Sequence, residues 1–412
     1  MAITALDLPG NNRSVHDDLF VVATSDNANA VDFKFVFDVF ANGKQLIRAK
    51  IYPNPNTSLG YFDISNVVAN EMKFNWFVPN GDVVMCELDN SGQITLPVQI
   101  RCGEDVSGIT SLNLESGQIY VANIVPNLNN RKINDILYAT PNTFINKYNS
   151  NRPRIAYTNV NEDFYIGLVA DNYGATYEIR IKQYNSSGTL LATNTITLPA
   201  CTKTGVYQLN ISPDAINETI AGSDIFLSSC AYYDVEIWDT TPNPDVKIDS
   251  IRMYFKCVTK YEVINLHFLN NKGTFDTARF DLLSRLTMDV ERKSFEQPDF
   301  KLGNGVTFFD IISTDKFTNY QYYESKVNYG SKYQWSYKLT MDFPTDADYL
   351  WLAELIMSPQ VWAEYIAPEG DKRYYPVSIK ATNYEYIKYV NDRLKPFEIE
   401  IEMNQKRYGF KR

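Results

Sequence analysis

Tyr177-Glu178-Ile179-Arg180-Ile181-Lys182-Gln183-Tyr184 is followed by Asn185-Ser186-Ser187-Gly188 and then by Thr189-Leu190-Leu191-Ala192-Thr193-Asn194-Thr195-Ile196-Thr197-Leu198. The first run alternates apolar and polar residues at the period of a strand with one buried face. The loop supplies a glycine for the left-handed position of a hairpin. Further strand-like runs at 164–169, 206–211, 232–238 and 251–257, with turn signals between them, bring the count to about six or seven strands at the spacing of a β-sandwich. This sandwich is expected to occupy residues 116–260.

Towards the N-terminus, Phe33, Phe35, Phe37 and Val39 fall on one face of a strand, with Asp32, Lys34 and Asp38 mostly on the other. Asn42-Gly43 then predicts a type I′ hairpin into a strand over 45–52, because both turn positions need positive φ. Pro53-Asn54-Pro55-Asn56 breaks the sheet, 63–70 reads as a short helix or loop, and strands resume near 83–88 and 94–100. Residues 1–115 therefore form a β-rich N-terminal domain, and the Asn-rich stretch 126–132 reads as linker or loop.

Residues 261–412 read as α+β. A strand over 333–341 leads to Thr345, which can cap a helix with Asp348 at the reciprocal position of a capping-box variant. Tyr349, Leu352 and Ile356 then give that helix an apolar stripe, and Ser358-Pro359 ends it. Strands over 376–386 and 394–403 follow. In the second, Phe397, Ile399, Ile401 and Met403 face one side, while Glu398, Glu400 and Glu402 face the other as a wet row or an interface for basic partners. The fold class is thus mainly β with a small α+β part: β-sandwich domains, then a C-terminal sheet with one packed helix.

The 412 residues are 44% hydrophobic and 14% aromatic, with 29 Tyr and 23 Phe. That aromatic load exceeds what cores alone require and suits half-buried strand faces or subunit contacts. A formal charge of −10 opposes phosphate backbones, which argues against direct nucleic-acid binding. The one basic cluster, 406–412, reads as a solvated or partner-docking tail. Five scattered cysteines, Cys86, Cys102, Cys201, Cys230 and Cys257, read as buried free thiols of a protein folded in a reducing cytoplasm. The opening residues lack the pattern of a signal peptide, and no run of about 18 apolar residues suggests a membrane span.

Chemistry is thinly supplied. The two histidines, His16 and His267, lie far apart, so a Ser-His-Asp or Cys-His arrangement has few candidates, and His267 reads as a packed or hydrogen-bonded strand residue. No metal-ligand spacing or nucleotide-binding pattern occurs, so neither metal nor cofactor is expected; Gly303-Asn304-Gly305 reads as a turn. The best enzyme candidate is Asp234 and Glu236 on one strand face beside Trp238, a carboxylate pair that could act on a glycan. Alternating polar residues on a wet strand face explain the same spacing, and no catalytic residue is assigned. A sugar-binding reading would use Trp238 with Tyr232 and Tyr233.

Three stretches resemble structural proteins of tailed bacteriophages that infect Bacteroides-type bacteria, including the crAss-like group. They are 31–39 with its hairpin, Pro-Asn loop and Gly60-Tyr61-Phe62-Asp63-Ile64-Ser65; Ile264-Asn265-Leu266-His267-Phe268-Leu269-Asn270-Asn271-Lys272-Gly273-Thr274-Phe275-Asp276-Thr277; and the closing 376–402. The resemblance touches about a quarter of the chain through strand and turn patterns. It implies a virion component of the tail or head-to-tail connector, made in the host cytoplasm, arranged as a homo-oligomeric ring with other virion proteins and carrying no catalytic residues. The alternative is a receptor-binding sandwich that takes host glycans. For assembly contacts, Tyr320, Tyr322 and Tyr323 are expected to contribute together with Phe397, Glu398, Ile399, Glu400, Ile401 and Glu402.

Overall fold

The computed structural model describes residues 3–9, 13–16, 18–72, 85–87, 95–117, 119–122, 152–170, 176–201, 205–219, 224–256, 260–296, 301–302, 317–318, 326–342, 346–366, 372–380, 397–404 and 407–411. The fold is mainly β, and three separate apolar cores lie along the chain.

The first core is built on β1 (Phe33–Ala41), which lies between β2 (Lys44–Ile51) and β3 (Thr95–Val106). Asn42 and Gly43 have φ of 48° and 76°, so the hairpin turn has the geometry the Asn-Gly pair requires. Phe33, Phe35, Phe37 and Val39 are all buried. The opposite face is not wet, however. Val36 and Asp38 are buried too, and Arg48 lays its guanidinium along Asp38 with two hydrogen bonds of 2.7 Å. A paired carboxylate can be buried where an isolated one could not. Residues 63–70 include helix α1 (Ser65–Ala69), where Asp63 Oδ1 accepts the Ser65 N–H at 2.9 Å.

The second core lies between two sheets, the arrangement of a β-sandwich. The larger follows the order β4 (Ile155–Thr158), β10 (Val246–Phe255), β9 (Tyr232–Asp239), β6 (Tyr177–Tyr184), β7 (Leu190–Thr197). Tyr177, Ile179 and Ile181 of β6 and Tyr233, Val235 and Ile237 of β9 point inward, as their alternation predicts. The smaller sheet pairs β5 (Tyr165–Ala170) with β8 (Gly205–Asn210), and Ala215 and Ile216 of α2 (Pro213–Thr219) join the core. Its third strand comes from the first third of the chain: Met85–Glu87 pairs with β8 through Met85↔Leu209 and Glu87↔Tyr207. Conversely, Ile119–Ala122 pairs with β3, so the first sheet continues past residue 115.

The third core sits under an eight-stranded sheet. Its main path runs β12 (Phe275–Phe280), β11 (Ile264–Leu269), β15 (Val361–Ile366), β16 (Lys372–Ile379), β17 (Phe397–Met403), β14 (Lys326–Met341), β13 (Arg285–Glu296). Helix α3 (Asp346–Met357) buries Trp351, Leu352 and Leu355 in that core, with Trp351 5.4 Å from the Phe268 ring. The basic stretch expected as a tail contains instead β18 (Arg407–Lys411), which pairs with β14 through Arg407↔Tyr333 and Lys411↔Gly330. Leaving the sheet would cost those backbone hydrogen bonds. Cys102 and Cys201 are buried and Cys230 is half-buried, and burial pushes the Cys102 thiol up to about 12.

Leu352 sits at zero exposure beneath the sheet. Leu352→Ala should lower unfolding free energy by about 2–5 kcal/mol, as cavity-forming core truncations do. Chemical denaturation reads this, with Glu398→Gln on the exposed face as a control expected to change stability by under about 0.5 kcal/mol.

Candidate functional site: a sealed histidine–carboxylate network

A cluster of buried titratable groups lies where the sandwich meets the eight-stranded sheet. His267 on β11 is completely buried. Its Nδ1 is 2.9 Å from Thr277 Oγ1 on β12, and its Nε2 is 3.2 Å from Glu364 Oε2 on β15. Thr277 Oγ1 also accepts the Tyr165 N–H at 2.9 Å, and Glu364 Oε1 accepts the Asp163 N–H at 3.1 Å. A carboxylate only accepts, so it is Nε2–H that donates to Glu364.

Hydroxyl, imidazole and carboxylate in sequence form the order of a nucleophile–base–orienter array. Two facts set it apart from a working one. Thr277, His267 and Glu364 are all buried, at 1, 0 and 2% exposure, so no substrate carbonyl can reach the hydroxyl. The Thr277 oxygen and both Glu364 oxygens also already accept hydrogen bonds, which fixes their orientation. An open cleft nearby is walled by Asn159, Glu162, Tyr261, Glu262 and Ile366, and none of the three groups lines it.

The same boundary carries two ion-pair chains. Asp163 of the sandwich takes Lys372 Nζ at 2.8 Å, Tyr165 Oη at 3.1 Å, Asn210 Nδ2 at 3.2 Å and the Tyr374 hydroxyl. Burial alone would raise the Asp163 carboxyl, but the Lys372 charge and the Lys372 and Tyr374 hydrogen bonds outweigh it and hold it below the usual carboxylate value. Burial, reinforced by Asp163 and Glu364, keeps the Tyr374 phenol protonated far above its ordinary range. In the second chain, Arg279 bonds Glu162 at 2.6 and 3.0 Å and Asp281 at 2.5 Å. Backbone groups are met as well. The Gln208 amide accepts the Phe275 N–H at 2.8 Å and donates to the Phe275 carbonyl at 2.9 Å, and Arg152 donates to the Thr277 carbonyl. Gly167 lies so close to Thr274 that a Cβ there would come within 2.3 Å of it.

The carboxylates singled out in the sequence lie elsewhere, on the outer face of the five-stranded sheet. Arg252 holds Asp234 with bonds of 2.7 and 2.9 Å. Lys182 and Lys247 hold Glu236 at 3.0 and 2.8 Å, and Trp238 Nε1 adds a bond at 3.1 Å while Arg180 covers its ring. Desolvation would raise Glu236, but its lysine and tryptophan partners overcome it and lower the carboxyl, the wrong direction for a general acid. The pattern is a ladder of cross-strand ion pairs. Tyr233 points into the core, whereas Tyr232 stands in a row across four strands: Tyr184, Tyr232, Tyr254 and Tyr157, with successive centroids 5.0, 5.1 and 5.8 Å apart.

Of the expected assembly residues, Tyr320, Tyr322 and Tyr323 lie outside the described residues. Phe397, Ile399 and Ile401 are buried in the third core, so their alternation marks a core strand rather than an open one. Glu398, Glu400 and Glu402 line the opposite face, where Lys338 meets Glu398 at 2.5 Å and Lys380 meets Glu400 and Glu402 at 3.0 and 2.8 Å.

No family model matches the sequence, and no curated protein does. Among solved structures, the chain is similar to the D0-D1 domain of intimin (8% identity, 62% of this chain and 100% of that one, TM-score 0.16). It is also similar to dimeric latent PorU from Porphyromonas gingivalis (8% identity, 63% and 20%, TM-score 0.17). A third likeness is the Parabacteroides merdae β-glucuronidase (10% identity, 60% and 29%, TM-score 0.15). The chain thus spans under a third of the latter two proteins, and at such TM-scores none of these likenesses carries an argument.

Asp163→Asn should cost about 3 kcal/mol at pH 7, because it leaves Lys372 with only the partly exposed Asp214. The lowered Asp163 carboxyl contributes stability that is present above its unfolded value near pH 4 and lost as pH falls through the folded value. The gap between wild type and Asp163→Asn, read from denaturation midpoints, should therefore close on acidification below pH ~4. Gly167→Ala should loosen the same boundary, raising hydrogen exchange along β5 and β12 more than in β1 or β3.

Proposed function

We propose that this protein is a non-enzymatic structural subunit that acts by assembling with copies of itself and with neighbouring proteins. The sequence resemblance extends this to a tail or head-to-tail connector component of a tailed-phage virion. One observation carries the assembly reading: an aligned apolar surface that runs from Tyr337, at the margin of the third core, out to well-exposed side chains. On the long β13–β14 ribbon, Met288 stands opposite Trp335, Leu286 opposite Tyr337 and Val290 opposite Tyr333. Leu286, Met288 and Trp335 are 51, 46 and 37% exposed. Aligned apolar side chains of this size on one sheet face mark a contact surface more often than a wet one. No helix among the described residues is long and apolar enough to cross a membrane.

The rival reading is a glycan-binding module, and the tyrosine row is what favours it. Sugars dock on aromatic faces, yet Tyr184 and Tyr232 stack on each other at 13° between planes, so their facing surfaces are already in contact. The row therefore suits a protein contact through ring edges and hydroxyls.

The deciding measurement is mass in solution, by light scattering or native mass spectrometry, across a concentration series. A discrete oligomer supports the assembly reading. A strict monomer whose glycan binding disappears in Tyr232→Ala supports the rival. Glu236→Gln should leave any glycan hydrolysis unchanged; loss of turnover in that variant would return Glu236 to a catalytic role.

A further inference from the structure

The eight-stranded sheet ends in two edges that are finished differently. At β12, side chains of the sandwich take the place of a next strand: Gln208 bonds both backbone groups of Phe275, and Arg152 bonds the Thr277 carbonyl. At β13, nothing equivalent occurs. Its twelve residues pair with β14 on one side, and among the described residues no strand and no side chain meets the backbone of the other. Strand edges are ordinarily protected by proline, like-charged or inward-pointing side chains, cover or a bulge. β13 has no proline, its charged residues are of both signs and so can answer those of a second copy, and its one irregularity, between Lys293 and Ser294, comes after the first nine residues. Both faces of this strand are largely exposed.

We propose that β13 is a self-pairing edge, at which two copies of the chain join antiparallel strands about a two-fold axis through Met288, continuing two eight-stranded sheets into one. Antiparallel partners share a face, so the axis must pass through a residue. Charge then selects which one. An axis at Asp289 sets that carboxylate against itself and Arg285 against Lys293. An axis at Val290 sets Asp289 against Glu291 twice. At Met288, Met288 faces its own copy, Leu286 faces Val290, Thr287 faces Asp289, and Arg285 faces Glu291 on both sides. An axis at Thr287 would set Arg285 against Asp289, but Lys380 already holds Asp289 at 3.3 Å, and only residues 285–289 of the strand would pair. The Met288 register pairs 285–291, stops before the bulge, and joins the two apolar ribbon faces side by side.

This inference names the contact for the assembly reading and rests on it. It also adds a constraint, because a two-fold contact adds copies in pairs. A ring that contains it has dihedral symmetry and an even number of subunits, unlike a purely head-to-tail ring.

The test uses the full chain. Arg285→Glu should weaken self-association at least about tenfold by placing like charges opposite each other twice, and adding Glu291→Arg should restore it to within about threefold. That rescue separates a lost contact from a misfolded chain. Met288→Cys should give a covalent dimer on mild oxidation that reductant reverses, while Val290→Cys, which does not face its own copy in this register, should not. An oligomer indifferent to Arg285→Glu, or cross-linking by Val290→Cys and not Met288→Cys, overturns the β13 pairing and leaves the assembly reading standing. A strict monomer at every concentration overturns both the pairing and homo-assembly.

Discussion

Everything at the boundary between the sandwich and the third sheet depends on Gln208. Buried with its amide held between the Ile166 carbonyl and both backbone groups of Phe275, it does for one edge what another strand would do along its length. An unmet peptide group at such depth costs about 1–3 kcal/mol. The sandwich can therefore lie against the edge only where a side chain of this shape supplies both a donor and an acceptor. Once that contact is made, Thr277 reaches the Tyr165 amide, Asp163 reaches Lys372, and Gly167 permits the close approach at Thr274.

The same logic explains why a histidine, two carboxylates, a lysine and two tyrosines gather in one place without forming a cleft. Each is a poor residue to bury alone and an acceptable one to bury with its complement. The arrangement rewards a single relative placement of the two bodies, since a shift of an ångström or two would leave several polar groups unmet at once. That is a specification of geometry, and it suits a subunit whose surfaces must present themselves at fixed angles to neighbours.

Strands with one buried face were legible in the sequence, because their alternation is a local property: β6 and β9 run close to their expected bounds, and the Asn42-Gly43 turn follows from backbone sterics alone. Where both faces are buried, alternation disappears. Asp276, Thr277 and Arg279 are polar yet buried, and His267, expected to be packed or hydrogen-bonded, is buried with them. Their partners explain the difference and lie far along the chain, Glu162 being 117 residues from Arg279 and Asp163 being 211 from Tyr374. β13 was not singled out in the sequence although Leu286, Met288 and Val290 alternate with Arg285, Thr287, Asp289 and Glu291; the run carries no hairpin or capping signal beside it, and neither of its faces is covered. Asp234 and Glu236 were placed correctly on one face, but the cations that answer them come from β6 and β10, whose register local pattern does not fix.

The short strand Met85–Glu87 has a consequence for biosynthesis. It completes the sheet of β8, which the ribosome delivers well over a hundred residues later, while Thr95–Val106 and Ile119–Ala122 return to the first sheet. The nascent chain must therefore hold a loop of its N-terminal sheet in waiting until β8 emerges. Two bodies that look separable by their cores are stitched in time as well as in space, and a fragment beginning at the sandwich would start life with β8 bare.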